Sequence, residues 1–150
     1  MIGAGPYGLS IAAHLRRSGV SFRIFGRPMD SWIAHMPKGM MLKSDGFASN
    51  IYDPESAFTL RKFCAERGIE YGDTGIPVRL ETFTAYGLAF RDRMVPESED
   101  KLVVAIERMP GGFRLQLDEP SYGVARGQAA VLYDGDVVVG SGLVTSSGLD

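Results

Sequence analysis

Cysteine, tryptophan and histidine are scarce: one Cys, one Trp and two His in 150 residues. With Cys64 alone no internal disulfide can form, which makes an intracellular, cytoplasmic protein the default reading. No metal cluster is expected. No apolar run approaches the ~20 residues of a membrane span, so the chain reads as soluble. No signal peptide is expected either, because the first apolar stretch is broken by glycines and a proline. Neither charge sign is in large excess, with 16 basic and 18 acidic residues and a net charge of −2. That balance argues against nucleic acid as a partner of the whole surface, although it leaves a local basic patch open. Internal repeats and low-complexity tracts are absent. What is present is ample core material, 45% hydrophobic against 23% charged, enough for one domain, or one domain with an appendage.

Gly8 to Ser18 reads as a helix with Gly8, Ile11, Ala12 and Leu15 on one face, Arg16 and Arg17 at its C-terminal end and Gly19 as its stop. Val20, Phe22 and Ile24 then alternate with polar residues at the period of a strand. Only Met1 and Ile2 precede Gly3, so this βαβ start reads as truncated in its first strand. Arg27 to Ser56 is irregular, as a long binding loop would be. Helices are expected over Thr59 to Arg67 and Glu81 to Met94, the second with Phe83, Tyr86, Phe90 and Met94 on one stripe. Cys64 shares a face with Leu60 and Phe63, which favours a core thiol over a reactive one. Lys101 to Arg108 and Phe113 to Leu117 flank Met109-Pro110-Gly111-Gly112 as a β-hairpin. A second hairpin is expected from Ala129–Tyr133 and Asp136–Val139 across Asp134-Gly135. The segment from Glu119 to Gln128 has little apolar periodicity, so a boundary falls near residue 118. The expected fold is α/β: a truncated Rossmann-like βαβ unit over 1–118 with a helical insertion and a hairpin, then a β-rich appendage over 119–150.

The chemistry lies in Gly3-Ala4-Gly5-Pro6-Tyr7-Gly8. In a G-x-G-x-x-G turn the first glycine permits the tight bend. The second lets backbone approach a pyrophosphate, and the third lets helix pack closely on strand. The N–H groups at the helix start then face the phosphates. Here the turn opens a helix that a strand follows, which is the context the motif needs. The acidic residue expected about 20 residues on is missing: Phe25-Gly26-Arg27 stands there, and Asp30 comes late. An arginine at that point suits a 2′-phosphate, so spacing leaves both FAD and NADP open.

Ile2 to about Leu117 resembles the N-terminal FAD-binding part of flavin-dependent monooxygenases, especially the ornithine and lysine N-hydroxylases. The likeness is carried by Gly3 to Ser10, Ser31-Trp32, Met36 to Ser44, Asp53-Pro54 and Phe58-Thr59-Leu60. The resemblance implies an oxidoreductase, a flavoprotein whose first turn holds FAD, with NADP as the alternative. It implies Gly3, Gly5, Pro6, Tyr7 and Gly8 as cofactor contacts and Trp32 as the tryptophan beside the flavin, although plain core would explain that residue equally. It makes Lys43 a substrate contact, against a solvated loop lysine. The flavin carries the oxygen chemistry in such enzymes, so no catalytic residue is named. His14 reads as a surface residue and His35 as a structural one. No second glycine turn for NADPH occurs, so an incomplete enzyme is expected.

The tail points elsewhere. Glu119-Pro120, Tyr122 to Ala125, Gly127 to Asp136 and Gly140-Ser141-Gly142 resemble the C-terminal β-barrel end of tRNA 2-thiouridylases. Nothing in the chain matches the thiouridylase's ATP-binding domain or its catalytic cysteines. This implies a chimera of two families, whether by gene rearrangement or by assembly, with an RNA-associated β module or a ligand-free scaffold as the alternative functions. Val137 to Gly142 also imitates the strand and small-residue turn that closes on flavin, which would place it in the parallel sheet instead of a hairpin.

Overall fold

A computed structural model describes residues 1–110 and 112–119 in full, and 129–134 and 137–143 as backbone strands. Pro120 to Gln128, Gly111 and the Gly135-Asp136 pair, to which sequence readings were assigned, lie outside the described residues. The fold is mixed α/β. Helices run over Pro6–Arg17 (α1), Asp30–Ala34 (α2), Leu60–Arg67 (α3) and Leu80–Met94 (α4), with a 3₁₀ turn over Gly46–Ser49. Strands run over Val103–Met109 (β1), Gly112–Leu117 (β2), Ala129–Asp134 (β3) and Val137–Leu143 (β4).

The Rossmann-like element is a minimal parallel sheet. Ile2 bridges Phe25, and Phe25 bridges Glu99, both in parallel. The bonds are Phe25 N–H to the Met1 carbonyl at 2.9 Å, Gly3 N–H to Phe25 at 2.8 Å, Glu99 N–H to Ile24 at 2.9 Å and Gly26 N–H to Glu99 at 3.1 Å. The segment carrying Phe25 therefore lies in the middle, and α1 connects it to the segment carrying Ile2. Arg23 fastens the third segment by donating to both carboxylate oxygens of Glu99, at 2.7 and 2.6 Å.

Helix α1 buries Leu9, Ala12 and Ala13, while Ile11 is exposed. The buried stripe is thus turned from the one expected through Ile11, because the small side chains Ala12 and Ala13 let α1 lie close to its neighbours. Helices α3 and α4 supply the rest of the core. Phe58, Phe63, Tyr86 and Phe90 form an aromatic cluster with ring centroids 5.6–6.5 Å apart, within the range of favourable tilted and edge contacts. Cys64 is buried beside them. The segment from Arg27 to Ser56, expected as an irregular loop, contains α2 and the 3₁₀ turn.

Tyr86 ties this loop to the core. Its hydroxyl lies 3.1 Å from the Ile51 carbonyl and 3.0 Å from that of Phe58, and it accepts from Ile51 N–H at 3.3 Å. Burial raises its pKa, so the donor stays protonated. Tyr86→Phe should lower stability by about 2 kcal/mol, since buried carbonyls lose their donor. A urea midpoint that does not move would reject this role.

Strands β1 and β2 pair antiparallel with Ile106 opposite Leu115. Strands β3 and β4 form a second antiparallel pair, Asp134 opposite Val137 and Tyr133 opposite Val138. The expected second hairpin is present, and Gly140 to Gly142 pair with Leu132 to Ala130 instead of joining the parallel sheet. Its register differs from a turn at Asp134-Gly135 by one residue, with an irregularity at Leu132/Tyr133. Asp134 is itself the last paired residue. Among the described residues no helix is long and apolar enough to cross a membrane.

Candidate cofactor-binding site

The glycine turn sits where the first segment of the parallel sheet runs into α1. Gly3 has φ +101°, a backbone conformation that side chains disfavour. Gly8 answers a different demand: a Cβ there would lie 2.1 Å from the Gly3 carbonyl oxygen. Gly5, the N-cap of α1, is extended, with φ −75°, and a Cβ there would meet nothing within 4 Å. Fixed backbone therefore demands glycine at Gly3 and Gly8, whereas at Gly5 there is open space.

That space faces a helix N-terminus without a cap. Among the described residues no side chain caps the first turn of α1, no acidic residue lies in it, and Pro6 brings no N–H. The first backbone bond is Leu9 N–H to the Gly5 carbonyl, 2.9 Å. The N–H groups of Tyr7 and Gly8 thus point out of the helix end, where the dipole favours an anion. Gly26, at φ +136°, closes the other side, its Cβ position 3.1 Å from the Ala4 nitrogen. The arrangement can receive a phosphate or pyrophosphate, as the FAD of the sequence reading requires.

The remaining candidates divide. Pro6 and Tyr7 belong to the turn, and the Tyr7 side chain is exposed. Trp32, on α2, is half-buried and meets Phe83 edge-on with centroids 4.7 Å apart, so it caps the core. Lys43 is exposed in the loop after Met41, which bridges Arg79. His14 is exposed and its Nδ1 lies 2.8 Å from the Ser10 carbonyl. His35 is exposed at the end of α2.

Asp53 escaped the sequence reading as an individual residue. It is buried and its carboxylate accepts from the N–H groups of Glu55, Ala57 and Phe58 at 3.1, 2.8 and 3.1 Å. The neighbouring Tyr52 carbonyl accepts from the Ser10 hydroxyl at 2.7 Å, joining this loop to α1. The available signal was an Asp-Pro pair opening a polar turn before the Thr59 helix cap.

Burial pushes the Cys64 thiol up from its ordinary pKa. Since the thiolate is the reactive form, Cys64 should resist alkylation in the folded protein and react fully in denaturant. Rapid stoichiometric labelling of the native protein would contradict a core role.

Comparison with known proteins returns the thiouridylase likeness in sequence and a likeness of fold to solved structures. The family model for the aminomethyltransferase beta-barrel domain matches residues 79–144. The tRNA-specific 2-thiouridylase MnmA of Synechococcus sp. (strain WH7803) is 40% identical over 79 residues, 53% of this chain and 16% of that protein. The same enzyme of Thermobifida fusca (strain YX) is 60% identical over 37 residues, 25% of this chain and 10% of that protein. Among solved structures, the bacillithiol disulfide reductase Bdr (YpdA) from Staphylococcus aureus aligns with TM-score 0.59 and 19% identity, over 79% of this chain and 33% of that one. Its counterpart from Bacillus cereus gives 0.55 and 17%, over 77% and 32%. The chain spans less than a fifth of the thiouridylases and about a third of the reductases. The structural likeness concerns the fold.

The match to the beta-barrel family model begins upstream of the tail, at Arg79, the N-cap of α4. It also corrects one expectation. The acidic balance argued against a nucleic-acid partner, yet the matched relatives are enzymes named for tRNA. A net charge summed over a chain says little about the sign of one of its faces.

Proposed function

We propose that residues 1–118 form the FAD-binding part of a monooxygenase-like oxidoreductase, not catalytically complete by itself, with residues 119–150 as an appended β unit. The observation that carries this reading is the uncapped α1 N-terminus beside the open space at Gly5. Gly3, Gly5, Pro6, Tyr7 and Gly8 would hold the pyrophosphate, their backbone N–H groups supplying the donors. Trp32 would border the flavin and Lys43 the substrate. When bound, a flavin supplies redox and oxygen chemistry, and the chain binds and orients it.

The chain lacks a second glycine turn for a nicotinamide dinucleotide. NADPH oxidation should therefore run no faster with the protein than with free FAD at the same concentration. Rapid oxidation coupled to hydroxylation of an amine would overturn the incomplete-enzyme reading.

A second reading rests on the match over residues 79–144 and on the thiouridylase relatives: the strands that follow α4 act as a β module that contacts tRNA. Fluorescence anisotropy with labelled tRNA tests it. Binding that weakens steeply with salt would support it, because phosphate contacts release counterions, and absence of binding at low salt would reject it.

A further inference from the structure

The carboxyl edge of the parallel sheet carries an exposed pair, Arg27 and Asp100. The Arg27 Nε lies 4.0 Å from Asp100 Oδ1, and both side chains are more than half exposed. The second segment of the sheet lacks the acid that ordinarily binds an adenosine ribose, having Arg27 at its end. We propose that Asp100 supplies that acid from the third segment, accepting a hydrogen bond from the ribose 2′-hydroxyl of the bound dinucleotide with Arg27 alongside. The inference rests on the cofactor reading above and names the residue pair that selects the form of the adenosine half.

Three observations place the pair there. The parallel bridges Ile2–Phe25 and Phe25–Glu99 bring Gly3, Gly26 and Asp100 out at one edge. Ligands of open parallel sheets bind outside that carboxyl edge. Next, the Arg23–Glu99 pair, with side chains 12% and 24% exposed, fixes the third segment against the second. That pair is spent on holding the register, whereas Arg27 and Asp100 remain open to solvent. Finally, Gly26 approaches Gly3 and Ala4 so closely that no side chain separates this edge from the glycine turn.

The chemistry sets the preference. A carboxylate accepts from a ribose hydroxyl and repels a 2′-phosphate, whereas a guanidinium alone would attract the phosphate. An exposed ion pair of this length contributes little to folding, so changing it should leave stability intact.

Calorimetric titration with ADP-ribose and with 2′-phospho-ADP-ribose, which share the pyrophosphate and differ only at the 2′ position, tests the assignment on the parent chain, Asp100→Ala, Arg27→Ala and Gly5→Val. Thermal unfolding checks that each variant is folded. The parent should bind ADP-ribose on the order of tenfold more tightly than the 2′-phosphate, the scale of one hydrogen bond to a charged group. Asp100→Ala should reverse that order, and Arg27→Ala should weaken the 2′-phosphate further. ADP-ribose binding lost in Gly5→Val but unchanged in Asp100→Ala would overturn this inference and leave the cofactor reading standing. A parent that prefers the 2′-phosphate would overturn it as well. A parent that binds neither probe would bring down both together.

Discussion

Gly5→Val should fold like the parent chain and lose FAD, whereas Gly8→Val should lose the fold. The two positions lie three residues apart in one motif, yet the structure asks different things of them. At Gly8 a Cβ would stand 2.1 Å from the Gly3 carbonyl oxygen. That oxygen is main chain, in a turn fixed by the Gly3 N–H bond to Phe25, so it cannot rotate away. Relief would require moving α1 off the sheet, and the cost should be about 3 kcal/mol or more, the upper range of overpacking. At Gly5 the backbone is extended and the Cβ position is empty. Valine there should cost only about 1 kcal/mol, as a poor N-cap. Its isopropyl group would nevertheless fill the space the pyrophosphate needs, so FAD affinity should fall on the order of a hundredfold. Urea unfolding separates the two variants, and flavin fluorescence reads the binding. Equal loss of stability in both would show that the open space at Gly5 is illusory.

Asp53→Ala should be the most damaging change outside the turn. One buried carboxylate accepts from three main-chain N–H groups within a few residues. Truncation leaves those donors without their acceptor, at about 1–3 kcal/mol for each that water cannot reach. The Phe58 N–H bond is buried and the other two are partly buried, so a total of about 3–4 kcal/mol is expected. Asp53→Asn keeps one acceptor oxygen and should fall between the two. Chemical denaturation gives the comparison, and an alanine variant within about 0.5 kcal/mol of the parent, the range of ordinary surface substitutions, would rule the anchor out.

What the sequence made legible was local punctuation. Helix α3 lies within one residue of expectation because its ends are chemical: Thr59 accepts from Lys62 N–H, and Gly68 adopts a left-handed conformation. Helix α1 begins at Pro6 instead of Gly8 since proline suits the first helical position. The long-range features were not legible. Ser98-Glu99 carries no strand pattern, yet Glu99 completes the parallel sheet because Phe25 and Arg23 meet it. Ile11 looked like core, and its exposure depends on which neighbours α1 packs against. At the candidate site the three glycines were readable from spacing. Asp53, whose partners lie two to five residues on, left only the local signal of an Asp-Pro turn, and Asp100 left none, because its proposed role depends on the parallel pairing that sets its segment beside Phe25.

The most direct test of the cofactor reading is a titration of the purified protein with FAD, followed by flavin fluorescence and absorbance, beside Gly5→Val. The account predicts saturable binding that perturbs the flavin bands and is lost in the folded Gly5→Val variant. A parent chain that leaves the flavin spectrum unchanged, or a Gly5→Val variant that binds FAD as the parent does, would contradict it.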